Sequence, residues 1–185
     1  MIIVGYIGNT ETKILLINKN KKLLKKIHLD TSMINSNTIK KSISTFNIKN
    51  NPIEKILFCS VVPKTFKIIK LILEKKYMLK CYELKNLNLS RLIKIKVNYK
   101  QIGSDRLANA ISIINNKDNF IVLDFGTATT FDVVIKNTYY GGVIAPGVKL
   151  SLETLTKKAT LIPNINLKKI TKVIGSNTIN AVRSG

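Results

Sequence analysis

Two short stretches of the sequence combine a glycine turn with side chains that can bind phosphate. Residues 4–17 read VGYIGNTETKILLI and residues 122–135 read VLDFGTATTFDVVI, and the two align without a gap. Glycine lets backbone N–H groups approach an anion closely, and nearby hydroxyl, amide and ammonium groups add further donors. These donors are Gly8, Asn9, Thr10 and Lys13 in the first turn, and Gly126, Thr127, Thr129 and Thr130 in the second. One such turn is typical of an ordinary hairpin, but two in register predict a nucleotide phosphate site.

The two copies differ at one chemically important position. Tyr6 stands in the first copy where the second copy has Asp124. A phenol is neutral near pH 7 and cannot replace a carboxylate as a ligand for a hard cation. The copies are therefore expected to handle cations differently.

A third candidate is the carboxylate of Asp105 in the segment GSDRLANAISIINN. Leu107, Ile111 and Ile114 fall on one face of a helix, and Ser104 or Asp105 can cap its start. A carboxylate in this place can also accept the proton of a substrate hydroxyl during phosphoryl transfer. From the residues alone, both interpretations of Asp105 stay open.

The elements that must position these residues form a repeated pattern. A three-strand meander is expected first, followed by helix, strand, helix and strand, and after a linker a second meander begins. Ser32 is the expected N-cap of the first helix, and Pro63 is expected to end the fourth strand. The predicted strands are 2–7, 13–18, 23–29, 55–63, 78–84, 119–125, 129–135 and 138–144, the linker is 86–100, and the helices are 33–46, 64–76, one starting near 104, and one from Pro146-Gly147 to about 158.

The repetition predicts an α/β protein of two similar lobes facing each other across a cleft. Residues 1–100 form the first lobe and residues 101–185 the second. Fewer residues remain for the second copy than the first copy uses, so the second lobe is expected to be truncated at its C-terminal end.

Composition narrows the function classes. The net charge of +21 is spread through every segment of the chain, which favours a solvated surface over a nucleic-acid stripe; no nucleic-acid partner is expected. Steep salt-dependent binding to DNA or RNA would support the opposite view. Cys59 and Cys81 lie in apolar surroundings and are expected to be buried thiols, and His28 is the only histidine. The apolar N-terminus is too short and too interrupted for a leader or a membrane span, so a cytoplasmic location and no membrane partner are expected.

In this order, the segments GNT, SVVP, GSDR, DFGTATTFDVV, GGVIAPG and IGSNT resemble the type III pantothenate kinase family, which includes the Bvg accessory factor proteins. The family belongs to the actin, sugar kinase and Hsp70-like ATPase superfamily, so the resemblance implies two RNase H-like lobes. It also implies ATP-dependent phosphorylation of pantothenate at the first step of coenzyme A synthesis, by a homodimer that uses Mg²⁺ and a monovalent cation, K⁺ or NH₄⁺. A catalytically silent member that acts as a binding or regulatory protein is the alternative.

The resemblance also assigns roles to single residues. Asp105 matches the catalytic base, and Asp124 matches the ligand of the monovalent cation; alternatively, Asp124 only fixes its turn. In the first turn, Tyr6 stands where the family has the aspartate that holds the phosphates of Mg²⁺-ATP. The ATP-binding positions are Tyr6, Gly8, Asn9, Thr10, Lys13 and Thr127, and the pantothenate-binding positions are Tyr99, Gly103, Ser104, Asp105, Arg106 and Thr178. The glycines of GGVIAPG are expected to allow close approach for packing or dimerisation, and the family's adenosine-contacting glycine pair is expected to have no counterpart in this sequence.

Overall fold

A computed structural model describes residues 1–46 and 52–185. It is an α/β protein with two sheets. The strands are β1 Ile2–Ile7, β2 Glu11–Ile17, β3 Leu23–Asp30, β4 Lys55–Ser60, β5 Cys81–Glu83, β6 Lys94–Ile95, β7 Asn119–Phe125, β8 Ala128–Ile135 and β9 Thr138–Pro146. The helices are α1 Ser36–Ser44, α2 Pro63–Tyr77, α3 Ser104–Ile113, α4 Val148–Lys158 and α5 Thr178–Ser184, with short 3₁₀ turns at Thr31–Met33, Leu84–Asn86 and Tyr99–Gln101.

The first sheet has the strand order β3-β2-β1-β4-β5. The first three strands are the predicted antiparallel meander, and β4 and β5 add to it in parallel. Ile3, Ile14 and Ile56 are fully buried on one face of this sheet. The core there also takes the apolar faces of α1 and α2, which supply Ile39, Ile43, Ile69 and Leu73. The predicted order of strands and helices in the first half is confirmed.

The second sheet has the order β6-β9-β8-β7. Three of its strands are the second predicted meander. A second core collects beside α3 around Leu107, Ala110, Val134 and Tyr139, all of which are fully buried. This core fixes α3 through its apolar face, and with it the position of Asp105 at the start of that helix.

Several sequence-based boundaries were wrong. Asn35 caps α1, with a reciprocal contact from Thr38, whereas Ser32 lies in a 3₁₀ turn that Asp30 caps. The fourth strand ends at Ser60, and Pro63 starts α2 because its fixed φ and missing N–H suit the first helical turn.

The later part of the chain holds three further corrections. The strand predicted over 78–84 shrinks to Cys81–Glu83, after Met78 ends α2 in a left-handed conformation. The predicted linker contains β6, which pairs in parallel with β9, and the short helix α5 was not predicted.

The chain divides into two compact units. One comprises residues 1–122 and 132–142, and the other comprises residues 123–131 and 143–185. The separate division into lobes at residues 100 and 101 stays a prediction. Within the described ranges, no helix is both long and apolar enough to cross a lipid bilayer.

Candidate active site

Asp105 lies in the first turn of α3, and its carboxylate is held in one orientation. Gly103 is the N-cap residue, so neither Ser104 nor Asp105 caps the helix as the sequence had suggested. Asp105 Oδ1 accepts a hydrogen bond of 2.8 Å from the backbone N–H of Arg106. A Cβ at position 103 would overlap this same Oδ1 atom. Glycine at position 103 therefore makes room for the carboxylate in this orientation.

Ser104 connects the start of α3 to the first sheet. Its side chain is buried, and its hydroxyl donates a short hydrogen bond of 2.5 Å to Glu83 Oε1 at the end of β5. On the neighbouring strand, burial raises the pKa of the Cys59 thiol to about 12; the negative charges of Asp105 and Glu83 act in the same direction, while a hydrogen bond with Ser104 opposes them. The Asp105 carboxylate thus lies close enough to the end of β4 to affect Cys59.

The register of the sheet brings the first glycine turn to the same place. Tyr6 on β1 pairs directly with Cys59 on β4, and with Lys13 on β2. Side chains at paired positions lie on the same face of a sheet. Tyr6 and Lys13 therefore lie on the same face of the sheet as Cys59, the residue whose pKa the Asp105 charge raises.

Buried threonines hold the first turn in shape. Thr31 Oγ1 donates to the Gly8 carbonyl at 2.8 Å and lies 2.9 Å from Thr12 Oγ1. The Gly8 N–H donates to the carbonyl of Glu11, so it is already used within the turn. Asn9 and Thr10 are exposed at the tip. A ligand can therefore reach Asn9 and Thr10 but not the buried Gly8.

Tyr6 and Lys13 have contacts that bear on nucleotide binding. The Tyr6 hydroxyl occupies the space that a Cβ on Gly8 would take, so the phenol lies directly against the turn. Lys13 Nζ is 2.9 Å from Glu11 Oε2, and His28 Nε2 is 3.2 Å from the same oxygen. The ion pair between Lys13 and Glu11 is partly exposed to solvent, so an incoming phosphate can compete for Lys13 at little cost.

Arg106 pairs with a buried carboxylate that the sequence analysis did not single out. Asp132 on β8 is fully buried, and its Oδ1 accepts from Arg106 Nε at 2.8 Å and lies 2.6 Å from Arg106 Nη2. The Tyr139 hydroxyl donates to the same oxygen at 2.7 Å. Burial opposes the Arg106 charge, but the hydrogen bond and charge of Asp132 outweigh it and raise the pKa of Arg106. Burial and the neighbouring Asp132 also raise the pKa of Tyr139.

Tyr99 lies on a loop that leads into α3. Its hydroxyl donates to the backbone carbonyl of Lys85 at 2.6 Å. Burial, followed by the charge of Glu83, raises its pKa. A cavity of about 420 Å³ adjoins this loop, with walls that include Ser60, Pro63, Phe66, Glu83, Lys85 and the backbone from Lys100 to Ser104. Its size falls within the range of roughly 300 to 1,000 Å³ that is common for small-molecule sites.

The second glycine turn lies in the other compact unit. Asp124 is half-buried near the end of β7, and Thr127 is exposed at the turn. The Gly147 N–H donates to the Thr127 carbonyl at 3.0 Å. A Cβ at Gly147 would overlap the carbonyl oxygens of Gly126 and Thr127, so this position requires glycine. Thr178, the remaining predicted substrate contact, is exposed at the first position of α5.

Four residues of the site were missed from the sequence: Thr31, Glu83, Lys85 and Asp132. Asp132 could have been noticed, because it is a carboxylate between Phe131 and the apolar run Val133–Ile135, where an unpaired charge is costly. Lys85 gave no signal, since the chain has 31 lysines and arginines. Among the residues that the structure describes, no group of three or more His, Cys, Asp or Glu side chains forms a ready metal cluster.

The fold is shared with a solved structure, that of a conserved Baf family protein from Campylobacter jejuni. The similarity has a TM-score of 0.56 at 19% identity and covers 98% of this chain and 72% of that chain. The fold class predicted above, the α/β architecture of actin-like ATPases, is confirmed.

Sequence comparison identifies the family within this class. The profile of the type III pantothenate kinases matches residues 2–185. The chain is 69% identical over 185 residues to the type III pantothenate kinase of Pelagibacter ubique (strain HTCC1062), covering all of this chain and 75% of the relative. It is 35% identical to that of Sulfurihydrogenibium sp. (strain YO3AOP1), covering 76% of the relative. The chain belongs to the type III pantothenate kinase family.

Proposed function

We propose that the chain transfers the γ-phosphoryl group of ATP to pantothenate, giving 4'-phosphopantothenate and ADP, with Asp105 as the general base. The observation that carries this proposal is the fixed carboxylate of Asp105. It lies over Gly103 at the start of α3, beside the end of β4. Family membership supplies the substrates, and phosphorylation of pantothenate is the first step of coenzyme A synthesis in that family.

The chemical step needs little from the protein besides position and charge. The primary hydroxyl oxygen of pantothenate forms a bond to the γ-phosphorus, while the bond from that phosphorus to the β,γ-bridging oxygen breaks and ADP departs. The hydroxyl proton passes to the Asp105 carboxylate. Oδ1 is oriented by the N–H of Arg106, which leaves Oδ2 as the atom to accept the proton.

Arg106 contributes to substrate binding as an oriented donor. Asp132 holds the Nε and Nη2 side of the guanidinium, and the planar group therefore has one orientation. Its remaining N–H donors are directed at polar groups of pantothenate. Tyr99, Gly103 and Ser104 are proposed as further contacts of pantothenate, and Thr178 stays a predicted contact.

The first glycine turn is proposed to bind the phosphates of ATP. Asn9 and Thr10 are exposed at its tip, and Lys13 is held on the same sheet face as Tyr6 by a partly exposed ion pair. Thr127 is proposed to contact ATP from the second turn.

The carboxylate of Asp124 is proposed to bind the monovalent cation. Asp124 is half-buried near the end of β7, two residues before Gly126. A hard oxygen ligand of this kind suits K⁺, and it can accept hydrogen bonds from NH₄⁺.

The residues of the first turn do not fit Mg²⁺ in the same way. Position 6 is a phenol that packs against Gly8, and the nearest carboxylate of the turn, Glu11, is paired with Lys13 and His28. This turn therefore does not present a carboxylate oriented to bind Mg²⁺. The same observation favours a second candidate function, a family member that retains substrate binding while its catalysis is impaired.

A direct assay separates the two functions. The kinase should convert ATP to ADP only when pantothenate and K⁺ are both present, and Asp105→Asn should lower kcat by about 10²- to 10⁴-fold. Asp118→Asn, which changes an exposed carboxylate bound by Asn115, is the matched control and should keep the wild-type rate. If wild type binds pantothenate but shows no pantothenate-dependent turnover, the second function is correct.

We also expect the homodimer that is typical of the family. The second compact unit supports this expectation because large apolar side chains are exposed on it. Phe125 is 68% exposed and Ile144 is 62% exposed. Burial of such side chains would stabilise an association of copies. Light scattering should then give about twice the chain mass of 20.7 kDa. The cytoplasmic location stays a prediction.

A further inference from the structure

The loop from Tyr99 to Gly103 carries the substrate-binding region into α3, yet it has almost no regular structure of its own. It consists of one 3₁₀ turn, capped by Asn98, and then the buried Ile102. At the end of such a turn, backbone carbonyl groups are left without partners from the helix. Their hydrogen bonds must come from elsewhere.

Lys85 supplies those hydrogen bonds. It lies in the 3₁₀ turn after β5, and its Nζ donates to the carbonyl of Lys100 at 2.8 Å and to that of Ile102 at 2.6 Å. Its own carbonyl accepts the hydroxyl of Tyr99, and its ammonium lies 5.9 Å from the centroid of the Tyr99 ring. Lys85 therefore contacts the loop at its beginning, middle and end.

The charge on Lys85 makes these contacts strong. Hydrogen bonds from an ammonium are roughly twice as strong as those between neutral groups. Only Gly103 separates the loop's last contact with Lys85, at Ile102, from Ser104, whose own side chain bonds to Glu83. Movement of the loop would shift Gly103, and with it the space that the Asp105 carboxylate occupies.

We infer that Lys85 is a positioning residue for pantothenate phosphorylation: it fixes the loop 99–103 so that Gly103 and Asp105 stand in the reactive arrangement. The inference rests on the proposed function. Lys85 acts through the loop and not on the reacting atoms. Its replacement should therefore affect pantothenate more than ATP.

The test compares three variants by steady-state kinetics. Lys85→Met keeps the length of the side chain but removes its charge and donors, and should lower kcat/KM for pantothenate by about 10- to 100-fold, since small misplacements of reacting groups have effects of that size. The KM for ATP should stay within about twofold of wild type. Lys85→Arg restores the charge and donors and should recover most of the loss. Lys80→Met is the matched control, because Lys80 Nζ lies over the Tyr82 ring at 5.2 Å in the same region, and it should behave like wild type.

Two outcomes would overturn the inference: a folded Lys85→Met variant with an unchanged kcat/KM for pantothenate, or a KM for ATP that rises by about 10-fold or more. If Lys85→Met does not fold, Lys85→Gln serves instead. It removes the charge but keeps a polar NH₂ group, and it should lower kcat/KM for pantothenate by several-fold without changing the KM for ATP; no effect would overturn the inference.

Failure of the proposed function would be visible separately, as wild-type protein without pantothenate-dependent turnover. Amide hydrogen exchange then decides the role of Lys85, because it needs no activity. Exchange in a peptide covering residues 99–106 should speed up in Lys85→Met and not in Lys80→Met. Equal exchange in both variants would overturn the inference.

Discussion

Replacement of Asp132 by asparagine tests the buried ion pair beneath the proposed substrate site. Asp132 is 0% exposed. Its Oδ1 lies 2.6 Å from Arg106 Nη2 and accepts hydrogen bonds from Arg106 Nε at 2.8 Å and from the Tyr139 hydroxyl at 2.7 Å. Removal of one partner from a buried pair usually costs about 3–5 kcal/mol because the other charge stays buried without compensation. The asparagine oxygen can still accept a hydrogen bond, and Arg106 is 14% exposed. We therefore expect the lower end of the range, about 3 kcal/mol.

Urea denaturation at pH 7 measures this directly, with thermal melting as a second readout. For a chain of this size, about 3 kcal/mol corresponds to a fall in Tm of roughly 6–12 °C. Tyr139→Phe, which removes one donor and keeps the charge pair, should cost only about 1 kcal/mol. Asp118→Asn, at an exposed carboxylate, should stay within about 0.5 kcal/mol of wild type.

Two results would contradict this account of the buried ion pair. If Asp132→Asn lowers the free energy of unfolding by no more than Asp118→Asn does, the pair contributes no net stability and its partners must be solvated in solution. If Tyr139→Phe costs as much as Asp132→Asn, the phenol and not the charge pair dominates the network.

Three further predictions follow from the site. Gly103→Ala adds a methyl group where Asp105 Oδ1 lies, so kcat should fall by about 10- to 100-fold with the fold intact by circular dichroism; unchanged kcat would show that the carboxylate moves freely. Tyr6→Asp supplies a hard-cation ligand and opens the space beside the first turn, so titration calorimetry should show tighter Mg²⁺-ATP binding than in wild type, and equal affinity would contradict this. Burial raises the pKa of the Cys59 and Cys81 thiols from 9.0 to about 12. As the pH rises, the unfolded chain therefore loses these protons before the folded chain does, and the free energy of unfolding measured in urea should fall between about pH 9 and pH 12. Replacement of both cysteines by alanine should make this fall with pH less steep.

The sequence predicted much of the fold because its strongest signals are local. The strands at 2–7 and 119–125 were placed correctly, since their apolar runs are bounded by glycine turns. Cap chemistry was harder to predict. Ser32 and Asn35 are both good cap residues, and only the contact with Thr38 selects Asn35. The strand Lys94–Ile95 was missed because it has two residues and depends on pairing with β9.

The candidate site was less predictable for a related reason. Asp105 and the glycine turns were recognised from motifs, but their neighbours are set by tertiary contacts. Asp132 and Arg106 are 26 positions apart, and Lys85 and Ile102 are 17 apart. No periodicity connects such pairs. The structure also turned Ser104 from an expected helix cap into a partner of Glu83, because the strand end lies beside the helix start.

The hydrogen bond from Thr31 to Gly8 shows which end of the meander tolerates engineering. The end of the meander where Gly8 lies is held by Thr31, the residue that follows β3, whereas the opposite tip at Asn18–Lys22 is a solvent-exposed turn about 20 Å away along β2. A peptide tag or a fluorescent label inserted at that lysine-rich tip can report on the protein without touching the turn that would hold ATP.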